Sequence, residues 1–234
     1  MQYLRSLLFM ALFYPGTMIY SAAGIAAAAF GAAPMRRVVR GWAEFHHVLC
    51  KHVLGIRVQP VGDIPPGANL IAVKHQSMFE TIEILRLART PVIVIKRELA
   101  DLPLFGRITR LYGVIPVDRE AGAKALRNLL AEAKIAAASG RPVVIFPEGT
   151  RVRPGETPEL RPGFAGLYRA LGLPVVAVAV DSGRLWGRGV LKRPGTIHFD
   201  ASPIMPPGLP RADIEARVHA AINKLEKLPA QPRP

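Results

Sequence analysis

From Ser6 to Met35 the chain carries no charged residue, and Leu, Phe, Ala, Tyr and Gly dominate. A helix needs about 20 apolar residues to cross a bilayer, so this stretch is long enough to do so once. Pro15 and Gly16 interrupt the run, because proline breaks helical hydrogen bonding and glycine loosens the helix. Two short helices forming a re-entrant hairpin fit the same pattern. A cleaved signal peptide, with Arg5 as its basic end and Leu7 to Phe13 as its apolar core, fits less well. The apolar run continues too far, and it ends in MRRVVRGW. Arg36, Arg37 and Arg40 in that flank favour the cytoplasmic side. The expectation is a retained, helical, membrane-anchoring segment over residues 1–40.

Beyond that segment the spacing of apolar positions changes. Between Arg40 and Leu54, residues Trp42, Phe45, Val48, Leu49 and Val53 suggest one apolar helix face. His46, His47 and His52 lie within it without an accompanying acidic or cysteine ligand set, and read as interfacial or solvated histidines. GDIPPGANL is a turn-rich loop. Short apolar runs then alternate with helical spacing. NLIAVKH, TPVIVIKRE, GVIPVDRE, RPVVIFPEGT, LPVVAVAVDSG and GTIHFD read as strands. SMFETIEILRLAR, LPLFGRITRLYG, Glu120 to Ser139, GFAGLYRALG and Asp213 to Leu228 read as helices, and residues 229–234 as a frayed tail. Near-continuous Val/Ile strands between helices predict an α/β fold over residues 41–228. Its central sheet is mostly parallel and flanked by helices.

In such sheets the loops beyond the carboxyl ends of the strands build the site. His75, Asp118 with Arg119, and Glu148 to Arg151 all fall at or just after predicted strand ends. Three polar clusters in equivalent positions imply one shared site.

Composition narrows the setting. Half of the 234 residues are hydrophobic and the formal net charge is +14. The mean hydropathy, +0.23, is high for a freely soluble enzyme. Such basicity can serve nucleic acid, but no zinc-ligand spacing, recognition motif or aromatic–basic stacking pattern accompanies it. Beside an apolar N-terminal segment, the charge points to an anionic bilayer surface. The single cysteine, Cys50, excludes an internal disulfide and allows a reducing compartment. No metal site and no cofactor are expected.

The first polar cluster admits two readings. Ser77 and Glu80 form S-x-x-E, the capping box that opens a helix. A first-turn carboxylate also lies close to the loop that carries His75. Bonded to one imidazole nitrogen, it would fix the tautomer and make the other nitrogen a better base. Ser77 has no G-x-S-x-G elbow around it and does not read as a nucleophile. In the second cluster, Arg119 alone is a surface arginine paired with Asp118 or Glu120. In FPEGTR, Gly149 lets the backbone approach a ligand, and Arg151 can contact a phosphate in bidentate fashion. Glu148 and Arg151 could equally pair with each other. Lys96 and Arg97 follow a strand and read as solvated basic residues.

HQSMFE, GVIPVDR and FPEGTR, in this order and spacing, resemble the first three motif blocks of the glycerolipid acyltransferases. LPVVAVAVDSG occupies the place of the fourth block. The resemblance spans Asn69 to Ser182. The family usually has aspartate where this chain has Glu80, and proline where it has Ala177. The resemblance implies that His75 is the general base and that Glu80 orients it. Arg119 and Arg151 would bind the acceptor phosphate, with Lys96 and Arg97 as further candidates. Glu148, Gly149 and Thr150 would shape the pocket.

The activity so implied moves a fatty acyl group from acyl-CoA or acyl-carrier protein to the 2-hydroxyl of lysophosphatidate. Another lysolipid, such as a lyso-ornithine lipid, is the alternative acceptor. The expected location is the inner (cytoplasmic) membrane, with the catalytic domain facing the cytoplasm. A non-catalytic membrane lipid-binding protein is the reading from another class, and the intact His75 with an acidic Glu80 argues against it.

Overall fold

The computed structural model describes residues 1–118 and 122–227. Arg119, Glu120 and the tail expected over residues 229–234 lie outside the described residues.

The chain begins with a helical hairpin, α1 (Gln2–Ala28) followed by α2 (Ala32–Leu49). Pro15 and Gly16 do not break α1. The Thr17 hydroxyl donates to the Phe13 carbonyl, 2.8 Å away, next to the site where proline withholds a donor. Gly16 leaves room for the Phe45 ring and Gly24 for Ile108, so small residues let α1 lie close to its neighbours. The reversal falls instead at Gly31, whose φ of +106° suits glycine. α2 starts well before Arg40, runs unbroken across residues 40 and 41, and ends in a π-helical turn, Cys50–Leu54.

The three histidines expected to be interfacial or solvated differ from one another. His46 is completely buried among Phe9, Phe13, Phe79 and Trp186. His47 pairs with the buried Glu83 at 3.2 Å. Only His52 is exposed. Helix packing brought Glu83 to His47 from 36 residues away, a partnership that local spacing does not encode.

Seven strands follow: β1 (Ile56–Val61), β2 (Leu70–Val73), β3 (Val92–Lys96), β4 (Ile115–Val117), β5 (Val143–Ile145), β6 (Val175–Val180) and β7 (Gly195–Ala201). Between them lie α3 (Phe79–Leu87), α4 (Arg97–Ala100), α5 (Phe105–Tyr112), α6 (Gly122–Ala138) and α7 (Gly163–Leu171), and α8 (Arg211–Ile222) follows β7. They form one sheet in the order β1-β7-β6-β2-β5-β3-β4. β6, β2, β5, β3 and β4 are mutually parallel. β7 is antiparallel to β6, and β1 is parallel to β7. The mostly parallel sheet expected from the sequence is therefore present. β1 has no counterpart among the expected strands. It alternates apolar and polar residues and contains Pro60, which a strand at the edge of a sheet tolerates.

Helices cover both faces of the sheet, which explains strands that are apolar on both sides. Ile71, Val73, Val144, Val176 and Val178 pack with α1, α2 and α3. Leu70, Ala72, Val143, Val175 and Ala177 pack with α6, α7 and α8. Five parallel strands consequently end at one edge, where the loops after β2, β5 and β6 meet.

Candidate active site

His75 lies in the loop after β2, directly ahead of α3. Its Nδ1 is 3.0 Å from Glu80 Oε1. The same oxygen accepts the backbone N–H groups of Gln76 and Ser77, each at 2.6 Å. Glu80 Oε2 accepts the hydroxyls of Ser77 at 2.7 Å and Ser182 at 2.6 Å. The capping reading and the histidine-partner reading of Glu80 are both correct. One carboxylate ties the helix start to the imidazole.

This arrangement has a defined electrostatic consequence. Burial pushes the Glu80 carboxyl up. The bonds from His75, Ser182 and Ser77 outweigh that push and hold it below the usual carboxylate range. An ionised carboxylate only accepts, so Nδ1 of His75 must carry the proton of a neutral ring. Nε2 then has a lone pair and has no hydrogen-bond partner among the described residues. Phe146 lies against the ring, 4.3 Å between centroids, and holds its plane. The imidazole remains 15% exposed, enough to meet a substrate.

The loop after β5 docks onto the same turn from two sides. The His75 N–H donates to Glu148 Oε2 at 2.9 Å, and the Val152 N–H donates to the His75 carbonyl at 2.8 Å. Glu148 does not pair with Arg151. Its partner is Lys74, which is completely buried, at 2.6 Å. Burial pushes the Glu148 carboxyl up, against the opposing pull of Lys74. Gly149 has a φ of +70°, and a Cβ there would stand 2.9 Å from Arg161 Cγ. The turn thus requires glycine for two independent reasons.

Arg151 is exposed and lines a cavity of about 270 Å³ with Ser77, Met78, Trp186, Arg188 and Lys192. Phe13, Tyr14 and Met78 also line a second cavity, about 450 Å³, that runs between the hairpin and α3, α5 and β3. Trp42, Ile82, Phe105 and Ile108 make its wall almost wholly apolar. One cavity is thus suited to a charged group and the other to a hydrocarbon chain. They meet at Met78, three residues beyond His75.

The remaining expected residues are spread more widely. Thr150 borders a separate opening toward α8, lined also by Arg161 and His219. Lys96 and Arg97 are at the carboxyl end of β3, on the same sheet edge but two strands from β2. Lys96 pairs with Glu98 at 2.6 Å and lines neither of the two cavities. Arg119 is outside the described residues. Three residues of the site had not been singled out: Lys74, Phe146 and Ser182. Ser182 follows β6 directly, so the rule that placed His75 and Glu148 at strand ends also points to it. Among the described residues no group of acidic, histidine and cysteine side chains could hold a metal ion.

A family model described as Acyltransferase matches residues 55–181. Over 173 residues the chain is 36% identical to a 1-acyl-sn-glycerol-3-phosphate acyltransferase of Pseudomonas aeruginosa, covering 73% of this chain and 67% of that protein. A protein of the same name from Helicobacter pylori is 35% identical over 103 residues, 44% of this chain and 43% of that protein. A lyso-ornithine lipid O-acyltransferase of Brucella abortus is 26% identical over 151 residues, 61% of this chain and 56% of that protein. Among solved structures, the 1-acyl-sn-glycerophosphate (LPA) acyltransferase PlsC from Thermotoga maritima superposes with a TM-score of 0.76. That match has 21% sequence identity and covers 99% of this chain and all of the other. It is a likeness of fold.

Proposed function

The chain belongs to the acyltransferase family, and we propose that it moves a fatty acyl group from acyl-CoA or acyl-carrier protein to the 2-hydroxyl of lysophosphatidate, giving phosphatidate and a free thiol. The observation that carries this reading is the His75–Glu80 pair, with Nε2 open, beside a loop that presents Arg151.

Nε2 of His75 takes the proton of the acceptor hydroxyl as its oxygen attacks the thioester carbonyl carbon. Glu80 stabilises the imidazolium that forms. The tetrahedral intermediate collapses, the C–S bond breaks, and the imidazolium returns its proton to the departing sulfur. No acyl-enzyme is required. General base catalysis of this kind contributes ~10²–10⁴-fold. Arg151 binds the acceptor phosphate and so orients a part of the substrate that does not react. Arg119, Lys96 and Arg97 are further cations for the phosphate or for the donor. An acyl chain occupies the apolar cavity behind Met78.

Membrane attachment is by the hairpin. Leu4, Leu7, Leu8, Leu12, Met18 and Ile19 are exposed on α1, an apolar face without a protein partner among the described residues. The opposite face is held to the rest of the chain along its length. Arg5 bonds the Val53 carbonyl at one end, and Gly24 packs on Ile108 near the other. A helix so held lies in one leaflet and does not cross the bilayer alone. Arg36, Arg37 and Arg40 support the cytoplasmic face of the inner membrane.

The test supplies membranes containing the wild type or His75→Ala with lysophosphatidate and a labelled acyl donor. Phosphatidate from the wild type and almost none from the variant is the expected result. Full activity in the variant would overturn the mechanism. Activity only with lyso-ornithine lipid would overturn the acceptor.

A further inference from the structure

The Lys74 ammonium is completely buried, an arrangement that costs several kcal/mol unless the charge is fully paired. Each of its three protons has an acceptor: Glu148 Oε1 at 2.6 Å, Asn223 Oδ1 at 2.7 Å and the Glu156 carbonyl at 2.8 Å. Glu226 Oε1 stands 3.8 Å from the same nitrogen. Glu226 also accepts the Gln76 side-chain amide on one oxygen and the Gly155 N–H on the other. Asn223 and Glu226 lie at and just beyond the end of α8, outside the residues matched by the family model.

These contacts join three pieces of chain that a buried lysine could have avoided joining. Through Glu148, Lys74 reaches the backbone N–H of the next residue, His75. Through the Glu156 carbonyl and the Gly155 N–H, the lysine and Glu226 hold the far end of the loop that carries Arg151. Through Gln76, whose side-chain oxygen accepts the Gly183 N–H, Glu226 reaches the loop after β6. We propose that Lys74, Asn223 and Glu226 form a clasp that sets the distance between the base His75 and the cation Arg151. On this view the C-terminal turn, remote in sequence from every motif block, completes the active site. These three are positioning residues and touch no reacting atom. The proposal rests on the acyl transfer described above, in which hydroxyl and phosphate of one acceptor must be matched at once.

The clasp predicts a particular kinetic signature. A structural prop, once weakened, lowers the amount of folded enzyme. A misset distance lowers turnover of enzyme that remains folded. Asn223→Ala and Glu226→Ala, at the rim of the cage, should lower kcat for lysophosphatidate by about 10-fold or more. This corresponds to about 1.4 kcal/mol or more in the barrier. KM for the acyl donor should change by less than about 3-fold, with the circular dichroism spectrum unchanged. Asn223→Asp, which restores an acceptor to Lys74, should recover most of the lost rate.

Amide hydrogen exchange reads the geometry without reference to activity. In Asn223→Ala, protection should fall together at His75 and at Val152, which face each other across the clasp. Wild-type kcat and protection in both alanine variants would overturn the proposal. So would a loss of rate explained wholly by a smaller folded fraction. If the wild type makes no phosphatidate, the functional reading fails, and the exchange measurement alone decides whether the clasp couples the two loops.

Discussion

Nδ1 of His75 lies 3.0 Å from Oε1 of Glu80, and Glu80 is completely buried. The carboxylate uses the same oxygen to accept two backbone N–H groups of the turn that precedes α3. It cannot orient the imidazole without also holding the turn.

Glu80→Gln should lower kcat by at least about 10², because the amide neither fixes the Nδ1–H tautomer nor balances an imidazolium. Glu80→Asp keeps the charge and shortens the reach toward Ser182, so its loss should be smaller. Steady-state rates in mixed micelles, with the thermal midpoint as control for folding, check both.

His46 sets an acid limit on the hairpin. Burial lowers its pKa from 6.5 to about 4, with Glu83 pulling the other way. The folded protein therefore disfavours the charged ring, while the unfolded chain accepts a proton near pH 6.5. Stability from this source is complete above pH 6.5 and declines as pH falls toward 4. The total is about 3 kcal/mol. His46→Leu should remove the slope in that window. Urea unfolding at a series of pH values measures it.

Thr81 borders the apolar cavity on α3. Thr81→Phe would fill part of about 450 Å³ without disturbing the His75 loop. Long-chain donors should lose activity by about 10-fold or more, while short ones change little. Rates across donors of increasing chain length decide this. A uniform loss at all lengths would place the acyl chain elsewhere.

Leu8 and Leu12 are 50% and 43% exposed on the outer face of α1. The double variant Leu8→Asp, Leu12→Asp should fold normally and fail to sediment with anionic vesicles. The wild type should stay bound in high salt, which screens charge and leaves apolar insertion intact.

Local signals located most of the elements. The β2, β5 and β6 runs are apolar on both faces and could only be buried strands. Gly140, with a φ of +75°, closes α6 where the pattern stopped. β1 escaped because Arg57, Gln59 and Pro60 dilute its apolar signal, and its place at the sheet edge is fixed only by pairing with β7, far along the chain. The choice between one continuous first helix and two short ones stayed open in the sequence for a related reason. Pro15 is a local breaker, yet packing against Phe45 and Trp42 outweighs it.

The site divides along the same line. Sequence by itself determined the α/β class, placed His75, Glu148 and Gly149 at strand ends, and put Glu80 in the first turn of the helix that follows. Their gathering at one place then followed a simple rule, since parallel strands deliver their loops to one edge. Tertiary structure alone decided the partners that lie far apart in the chain. Ser182 comes to Glu80 over 102 residues, and Asn223 to Lys74 over 149. Lys74 looked like the polar end of a strand, but folding sealed it from water and gave each of its protons an acceptor. A pattern along the chain records which residues avoid water. It does not record which buried charges meet, because those contacts are made by segments that approach each other only when the sheet is assembled.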